Sequence, residues 1–299
     1  MKKNYVKHQH YIPQFALSSF QNSQGKIPYT IIGEKQLNIY YSTTNKLMQE
    51  RDFYEFKTTT NNYIRRNFLE DDYAFFENEL ASNFNFFINL TSKPNFQEKF
   101  NEIIQNNKWG DIEATLLTYL FLLLIRGKDV KQIVYSKKQF PIEINHVMYL
   151  LATTSKLNAV RYAKEMFQGE ELEYVLRFIK EEKNDNPLTN LAKHIMTNYQ
   201  VRVCKVKGEK RFFLSDNPVI VQKFEGEDYI LPLSPDICII LIPIRLKDNK
   251  IEIDTSILYL EDANVDRINK HEVRNTKQQI LISDEKDLDF INSIIRQKN

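Results

Sequence analysis

The chain has 299 residues, of which 42% are apolar and 27% charged, the composition of a globular protein with ample core-forming material. Lys and Arg number 41 and Asp and Glu 39, so the net charge of +2 neither requires nor excludes a polyanionic partner. The seven glycines lie at least eight positions apart. That spacing excludes the GxGxxG dinucleotide loop, the GxxxxGK[ST] phosphate loop and the GxSxG nucleophile elbow, because each needs glycines within a few residues.

Cysteine usage and hydropathy predict a cytoplasmic protein without membrane segments. Cys204 and Cys238 are 34 positions apart and form no CxxC pair, which favours a reducing compartment. The first residues lack the apolar core of a signal peptide. The longest uncharged apolar stretch, 114–125, has twelve residues, whereas a membrane span needs about twenty.

The first sixty residues predict short strands separated by turns. The runs 29–32, 37–41 and 53–56 are rich in aromatic or β-branched residues and are bounded by polar residues or glycine. A helical region follows. Between Asp72 and Leu90, apolar residues recur every three or four positions, which predicts a helix with one apolar face.

Further helical patterns continue through the middle of the chain. One is capped by Asp111 and runs through Leu116 towards Ile133, another opens at Pro141, and the last covers 188–199. Arg126 ends the otherwise apolar stretch of the first of these, which begins at Leu116. An arginine placed there either extends to solvent from the edge of the core or reaches a buried carboxylate.

From Gln200 the pattern changes to the two-residue period of strands. The runs 201–206 and 211–214 flank Gly208-Glu209 and predict a hairpin. Other β-prone runs are 219–221, 229–231, 237–244 and 279–282, with helices expected from Ala263 and over 284–296. The predicted fold class is therefore α+β, with a mostly antiparallel sheet in the C-terminal third.

The same patterns divide the chain into three segments, which are also compatible with one continuous domain. Residues 1–68 form a β-rich segment that packs on the rest, residues 69–199 a helical region, and residues 200–299 a β-rich region with a closing helix. We expect 10–20 to dock in the core, because Tyr11, Ile12 and Phe15 are too apolar to leave in water.

Few polar residues form patterns that suggest chemistry. His8 and His10 lie on the same side of an extended segment and make at most half of a metal site; the alternative is that His10 is a packed or capping residue. Glu70 and Glu77, seven positions apart, share a face if their helix begins early enough. Such a pair binds a cation or an arginine, or is simply a solvated stripe.

Asp216 and Asn217 follow a β-run and precede Pro218. Asx-Pro sequences form turns because the side chain bonds its own backbone, and this is the structural interpretation. The functional interpretation is that strand ends direct polar groups into clefts. If Asp216 is only a turn residue, its replacement by Asn is expected to cost little stability.

Several of these segments resemble a known family. The opening His10-Tyr-Ile-Pro-Gln-Phe15, Leu214-Ser-Asp-Asn-Pro218 and Pro232-Leu-Ser-Pro235 are similar to the domain of unknown function family numbered 4238. Asn269, followed by the strand-like 279–283, resembles the family's closing stretch. The resemblance brings no established activity. It implies a polar residue set, namely His10, Glu70, Glu77, Arg126, Asp216 and Asn217. Family members occur in bacteria, fungi and viruses, a scatter similar to that of genes used in conflict with mobile elements.

Two functions of different classes follow from this set. In the first, the protein is a hydrolase of nucleic acid or a nucleotide, with His10 as base or ligand. Glu70, Glu77 and Asp216 would hold a divalent metal ion, and Arg126 would bind a phosphate, with Asn217 also in the catalytic set. In the second, it is a non-enzymatic binding protein whose partner is a bacterial or phage protein. It would then be a phage-encoded anti-defence inhibitor or a subunit of a defence complex.

Overall fold

The computed structural model describes residues 5–57, 60–64, 66–136, 141–154, 156–181, 187–221, 229–247, 250–254 and 256–297. Strands occupy both ends of this described part and helices occupy its middle, so the predicted α+β class is confirmed. None of the helices in it combines the length and apolar character that crossing a membrane requires.

The strands are short. Their bounds are β1 His8–His10, β2 Ile27–Ile31, β3 Tyr40–Ser42, β4 Gln49–Arg51, β5 Tyr199–Val206, β6 Leu214–Ser215, β7 Tyr229–Ser234, β8 Ile237–Pro243, β9 Arg245–Lys247, β10 Lys250–Glu252, β11 Ile257–Leu260 and β12 Gln279–Leu281. In sequence, β1–β4 precede the helical middle of the chain and β5–β12 follow it.

Two four-stranded sheets organise these strands, with orders β11-β5-β8-β7 and β3-β2-β12-β6. The pairing β11-β5 is parallel and the other pairs in both sheets are antiparallel. In the second sheet, β12 from the end of the chain lies between β2 and β6. Both ends of the sequence therefore contribute to one sheet.

Most helices of the described chain lie in sequence between the two groups of strands, and they pack through their apolar faces. The helix bounds are α1 Gln14–Leu17, α2 Phe68–Thr91, α3 Phe96–Gln105, α4 Trp109–Arg126, α5 Lys128–Tyr135, α6 Ile142–Thr153, α7 Lys156–Met166, α8 Gly169–Glu181, α9 Pro187–Asn198, α10 Asp262–Asn275 and α11 Asp287–Arg296. The helix predicted over 72–90 is α2, which begins earlier and therefore carries both Glu70 and Glu77.

The largest hydrophobic cluster draws side chains from all three predicted segments. It includes Tyr11 near the N-terminus, Phe84 of α2, Leu120 of α4, Ile239 of β8 and Leu281 of β12. The division into three segments stays a prediction, and a common core joins them.

The N-terminal stretch is docked as expected. Tyr11, Ile12, Leu17 and Phe20 are all buried, and Phe15 packs partly buried against the same cluster.

Two predicted strand elements are wrong for the same reason. In each, side chains accept the backbone N–H groups that a neighbouring strand would otherwise bond. The run 211–214 does not pair with β5: Phe213 donates its N–H to the Asn269 side chain, and β6 joins β12 instead. The run 53–56 forms no strand. There Tyr54 donates its N–H to Gln9 Oε1 at 2.6 Å, and the Glu55 carboxylate also takes a backbone bond.

The helix predicted to run towards Ile133 ends at Arg126. Gly127 adopts an extended backbone, with φ −63° and ψ 157°, and α5 begins at Lys128. This break places Arg126 and Lys128 in different elements, and it positions the polar residues described next.

Candidate functional site

Arg126 is the centre of a buried polar cluster. Its Nε donates to the Tyr54 hydroxyl at 3.1 Å, Nη1 to Glu77 Oε1 at 2.5 Å, and Nη2 to the His10 carbonyl oxygen at 2.6 Å. The guanidinium also lies over the Tyr73 ring, 4.3 Å from its centroid. Of the two sequence interpretations, the carboxylate partner is the one observed, and every guanidinium nitrogen is engaged within the protein.

Glu70 and Glu77 lie on the same side of α2, near the same guanidinium. Glu77 pairs with Arg126 directly. Glu70 is half-buried, and its Oε2 is buried without a hydrogen-bond partner in the described part of the chain. Burial raises the pKa of Glu70 to about 7, although the nearby charge of Arg126 acts in the opposite direction. The carboxyl group therefore titrates near neutral pH.

His10 contributes its ring as well as its carbonyl to this region. The ring Nε2 lies 3.1 Å from the Thr44 carbonyl oxygen, and since a carbonyl only accepts, Nε2 carries the proton and Nδ1 the lone pair. Burial lowers the pKa of His10 below its ordinary value, an effect that the Thr44 bond opposes. The imidazole is neutral at pH 7, with Nδ1 as its basic atom.

Asp216 lies in a second network, beside the passage from α10 to β12. Its buried carboxylate accepts the backbone N–H groups of Lys277 at 2.7 Å, Gln278 at 2.9 Å and Gln279 at 3.3 Å. Burial raises the pKa of Asp216 from its ordinary value, while these bonds and Lys128 act to lower it. The bonded backbone is more than sixty positions away in sequence, so Asp216 joins two distant segments and is not the local turn residue of the structural interpretation.

Lys128 and Asp129 at the start of α5 extend this second network. Lys128 Nζ lies 2.6 Å from Glu50 Oε1 and 3.6 Å from Asp216 Oδ2. Asn217 donates from Nδ2 to Asp129 Oδ2 at 3.2 Å. Because Gly127 alone separates Arg126 from Lys128, the two networks abut at the junction between α4 and α5.

The structure thus divides the six candidate residues into two adjoining groups. His10, Glu70, Glu77 and Arg126 form the first, while Asp216 and Asn217 belong to the second. Within the described residues, no group of three or more His, Cys, Asp or Glu side chains has a geometry that could hold a metal ion. The metal centre on Glu70, Glu77 and Asp216 stays a prediction that the observed contacts do not support.

Tyr54 and Tyr73 were missed as members of the first group, since an aromatic residue in an apolar run indicates core. Lys128 and Asp129 were missed in the second because charged residues within a helical pattern usually form its solvated face. The only available signal was their position directly after Gly127, the sole glycine in that helical run.

A buried carboxyl group on α10 was also missed. Glu272 is fully buried, and its Oε2 accepts the Ser215 N–H at 2.8 Å. Burial raises the pKa of Glu272 to about 8 despite that bond. Asn269, one turn earlier, accepts the Phe213 N–H and donates to the Arg211 carbonyl oxygen. Both side chains fix the strand β6 that precedes Asp216.

Comparison with known proteins identifies a family to which no activity is assigned. The family described as a protein of unknown function (DUF4238) matches residues 8–286. Searches of curated proteins and of solved structures found no match. The family match spans most of the chain, including all six candidate residues and both networks. The chain therefore belongs to the family DUF4238.

Proposed function

We propose that this protein acts by binding, without chemistry of its own, as a component of conflict between bacteria and their phages. Its partner would be a bacterial or phage protein, and its role that of an anti-defence inhibitor or a subunit of a defence complex. The observation that carries the proposal is the bonding of Arg126. The phosphate-binding role needs N–H groups that a ligand can reach. Arg126 is 1% exposed, and Tyr54, Glu77 and the His10 carbonyl each accept a hydrogen bond from one of its nitrogens.

The contacts of Asp216 support the same conclusion. Three backbone N–H groups and the Lys128 ammonium surround its carboxylate. A carboxylate satisfied in this way has little capacity left for a metal ion or a substrate proton. These contacts join segments that are distant in sequence. They therefore support a structural role for Arg126 and Asp216 more directly than a catalytic one.

The setting in phage conflict rests on the family resemblance alone. We test it together with the binding role by plating phages on cells that express the parent protein, Glu70→Gln or His10→Gln. Gln at position 70 matches the protonated carboxyl group in size, and Gln at position 10 retains an N–H for Thr44. The effect on plating should be the same in all three strains, because neither side chain is catalytic in this proposal.

Purified protein provides the second half of the test. The parent should not turn over nucleotides or oligonucleotides, with or without Mg²⁺ or Mn²⁺, above the level of an Arg126→Lys preparation. The proposal is contradicted if turnover is present, or if Glu70→Gln abolishes the plating effect while its melting temperature matches the parent's.

Hydrolysis of a nucleotide or nucleic acid is the second candidate, and one observation favours it. The Glu70 carboxyl has a pKa of about 7 and an unpartnered buried oxygen in the described structure, and the neutral imidazole of His10 faces the same Glu77–Arg126 pair. A group that titrates near the working pH is suited to general acid–base catalysis. This candidate requires a bell-shaped pH profile that disappears in both Glu70→Gln and His10→Gln at unchanged stability.

A further inference from the structure

A groove of about 450 Å³ opens beside α2, and its lining includes Tyr73, whose ring also contacts the guanidinium of Arg126. It is lined by residues of α2, α4, α6 and α7, with Tyr73 and Ile125 at its base. The candidate residues His10, Glu77 and Arg126 do not line it. Its volume lies in the range of small-molecule sites, about 300–1,000 Å³, which are mostly apolar with a few polar groups.

The mouth of the groove exposes large apolar side chains. Phe75 is 60% exposed, Phe76 44% and Leu157 61%. The two phenylalanine rings lie edge to face, with centroids 5.8 Å apart. A ligand with an apolar body would remove these surfaces from water, and burial of apolar area is the main favourable contribution to such binding.

One charge of each sign lines the same groove. Asp72 on α2 is half-buried and accepts a hydrogen bond from the Asn158 side chain. Arg161 on α7 is exposed, and it has no ion-pair or hydrogen-bond partner in the described residues. The groove therefore offers an apolar floor with a carboxylate and a guanidinium at its border.

We propose that this groove binds a small zwitterion with an aromatic body, of which a free aromatic amino acid is the simplest member. The ring occupies the space between Phe76 and Leu157, the ligand carboxylate pairs with Arg161, and its ammonium group pairs with Asp72. A purely anionic ligand would meet Asp72 unfavourably and a purely cationic one Arg161. The zwitterion satisfies both charges. This site is independent of the binding role proposed above.

Titration calorimetry with the full chain tests the ligand class. The probes are L-phenylalanine, L-tyrosine and L-tryptophan, followed by indole-3-propionate, which lacks the ammonium group, and tryptamine, which lacks the carboxylate. At least one amino acid should bind with a Kd no weaker than about 1 mM. If that is L-tryptophan, each truncated analogue should bind about tenfold more weakly; for another amino acid, its own analogues replace these two.

Variants assign the two charges. Arg161→Gln should remove the preference for the amino acid over the analogue that lacks a carboxylate, and Asp72→Asn the preference over the analogue that lacks an ammonium group. Arg177→Gln is the matched control, because Arg177 is also an exposed helical arginine but does not line the groove. Its affinity should equal the parent's.

Several outcomes would overturn the proposal. They are no binding of any of the three amino acids at millimolar concentration, equal affinity for an amino acid and both of its analogues, and loss of affinity in Arg177→Gln as large as in Arg161→Gln. Equal affinities would mean that the groove takes any apolar body and that the two charges select nothing. Melting temperatures of all variants should match the parent's, so that lost binding is not lost folding.

Discussion

Tyr73 borders two regions that differ in the state of their arginine: one holds a buried, hydrogen-bonded guanidinium and the other an exposed guanidinium. On one side its ring lies against the guanidinium of Arg126, which is 1% exposed and bonded through all three nitrogens. On the other side it lines the groove that Arg161 borders, where Arg161 is exposed and has no partner within the described chain. Four of the polar residues that the family resemblance implies are hydrogen-bonded within the fold, namely Glu77, Arg126, Asp216 and Asn217. The groove, in contrast, leaves the Arg161 side chain without a partner among the described residues. This comparison predicts that variants in the two regions differ in how much free energy of unfolding they lose.

The largest effect is expected from Arg126→Met. The change leaves Glu77, the Tyr54 hydroxyl and the His10 carbonyl without their common partner. Breaking a fully buried ion pair by removing one member costs about 3–5 kcal/mol. Because the Glu77 side chain is 25% exposed, urea denaturation should show a loss at the lower end of this range, about 3 kcal/mol, in the free energy of unfolding.

If Arg126→Met does not fold, Arg126→Lys takes its place, since it keeps the charge and loses most of the hydrogen bonds. It should fall between the parent and the methionine variant. A loss below about 1 kcal/mol in both variants would mean that the cluster contributes little to cohesion.

The next effect concerns Asp216→Asn, and here the structure changes the expectation. A local turn residue would tolerate the exchange, but this carboxylate accepts the N–H groups of 277–279 through both oxygens. The Asn amide nitrogen would face donors, which leaves partly buried N–H groups without an acceptor. We expect a loss of about 1–3 kcal/mol in the free energy of unfolding.

Asp236→Asn is the control for that experiment. Asp236 pairs with Arg211 at 3.0 Å on the surface, and exposed pairs contribute about 0–1 kcal/mol. Equal losses in the two variants would show that burial of the Asp216 carboxylate has no special weight.

The pH dependence of stability tests the missed carboxyl group of Glu272. Its pKa is raised to about 8 in the folded state from 4.5, so the native protein binds the proton more tightly than the unfolded chain. Stability is therefore full at low pH and falls as the pH rises towards 8. Between pH 6.5 and 8 the fall should be about 1–2 kcal/mol.

The histidines act in the opposite direction at the start of that window. Burial lowers the pKa of His10 and His271 from the ordinary value of 6.5, and that of His146 to about 4, so their contributions make stability rise with pH until the pH has passed 6.5. Glu70, with a pKa of about 7, adds to the first part of the fall. Glu272→Gln mimics the protonated acid and should flatten most of the slope. An unchanged slope in that variant would assign the pH dependence to other groups.

The sequence predicted best what depends on a repeated local pattern. The apolar stripe over 72–90 predicted α2, although not the earlier start at Phe68 that brings Glu70 onto the helix. The docked N-terminus followed from Tyr11 and Ile12. The false hairpin over 201–214 shows the limit: the alternating pattern was real, but strand partners are chosen by distant segments, here β8, β11 and β12.

The candidate site shows the same limit. Arg126 was recognisable as an anomaly in an apolar helix, yet its partners Tyr54 and the His10 carbonyl lie 72 and 116 positions away. Every residue has a backbone carbonyl, so the sequence cannot indicate that the carbonyl of His10 accepts this hydrogen bond. The groove was missed because Phe76 fits the apolar stripe predicted over 72–90 but is 44% exposed in the structure. Helical periodicity does not say which residues at the edge of a stripe find a neighbour.

The smallest effect on stability is expected at Arg161, and it sharpens the contrast most directly. Arg161→Gln removes a charge that no described residue uses, so the free energy of unfolding should change by less than about 0.5 kcal/mol. The measurement is urea denaturation of the unliganded Arg161→Gln variant in parallel with Arg126→Lys. Each variant changes the arginine of one of the two regions that Tyr73 borders. A loss above about 1 kcal/mol at Arg161 would reveal an internal partner and remove the basis for treating the groove as open. A neutral result, combined with the loss of carboxylate selectivity in calorimetry, would separate a residue that the fold needs from one that only a ligand needs.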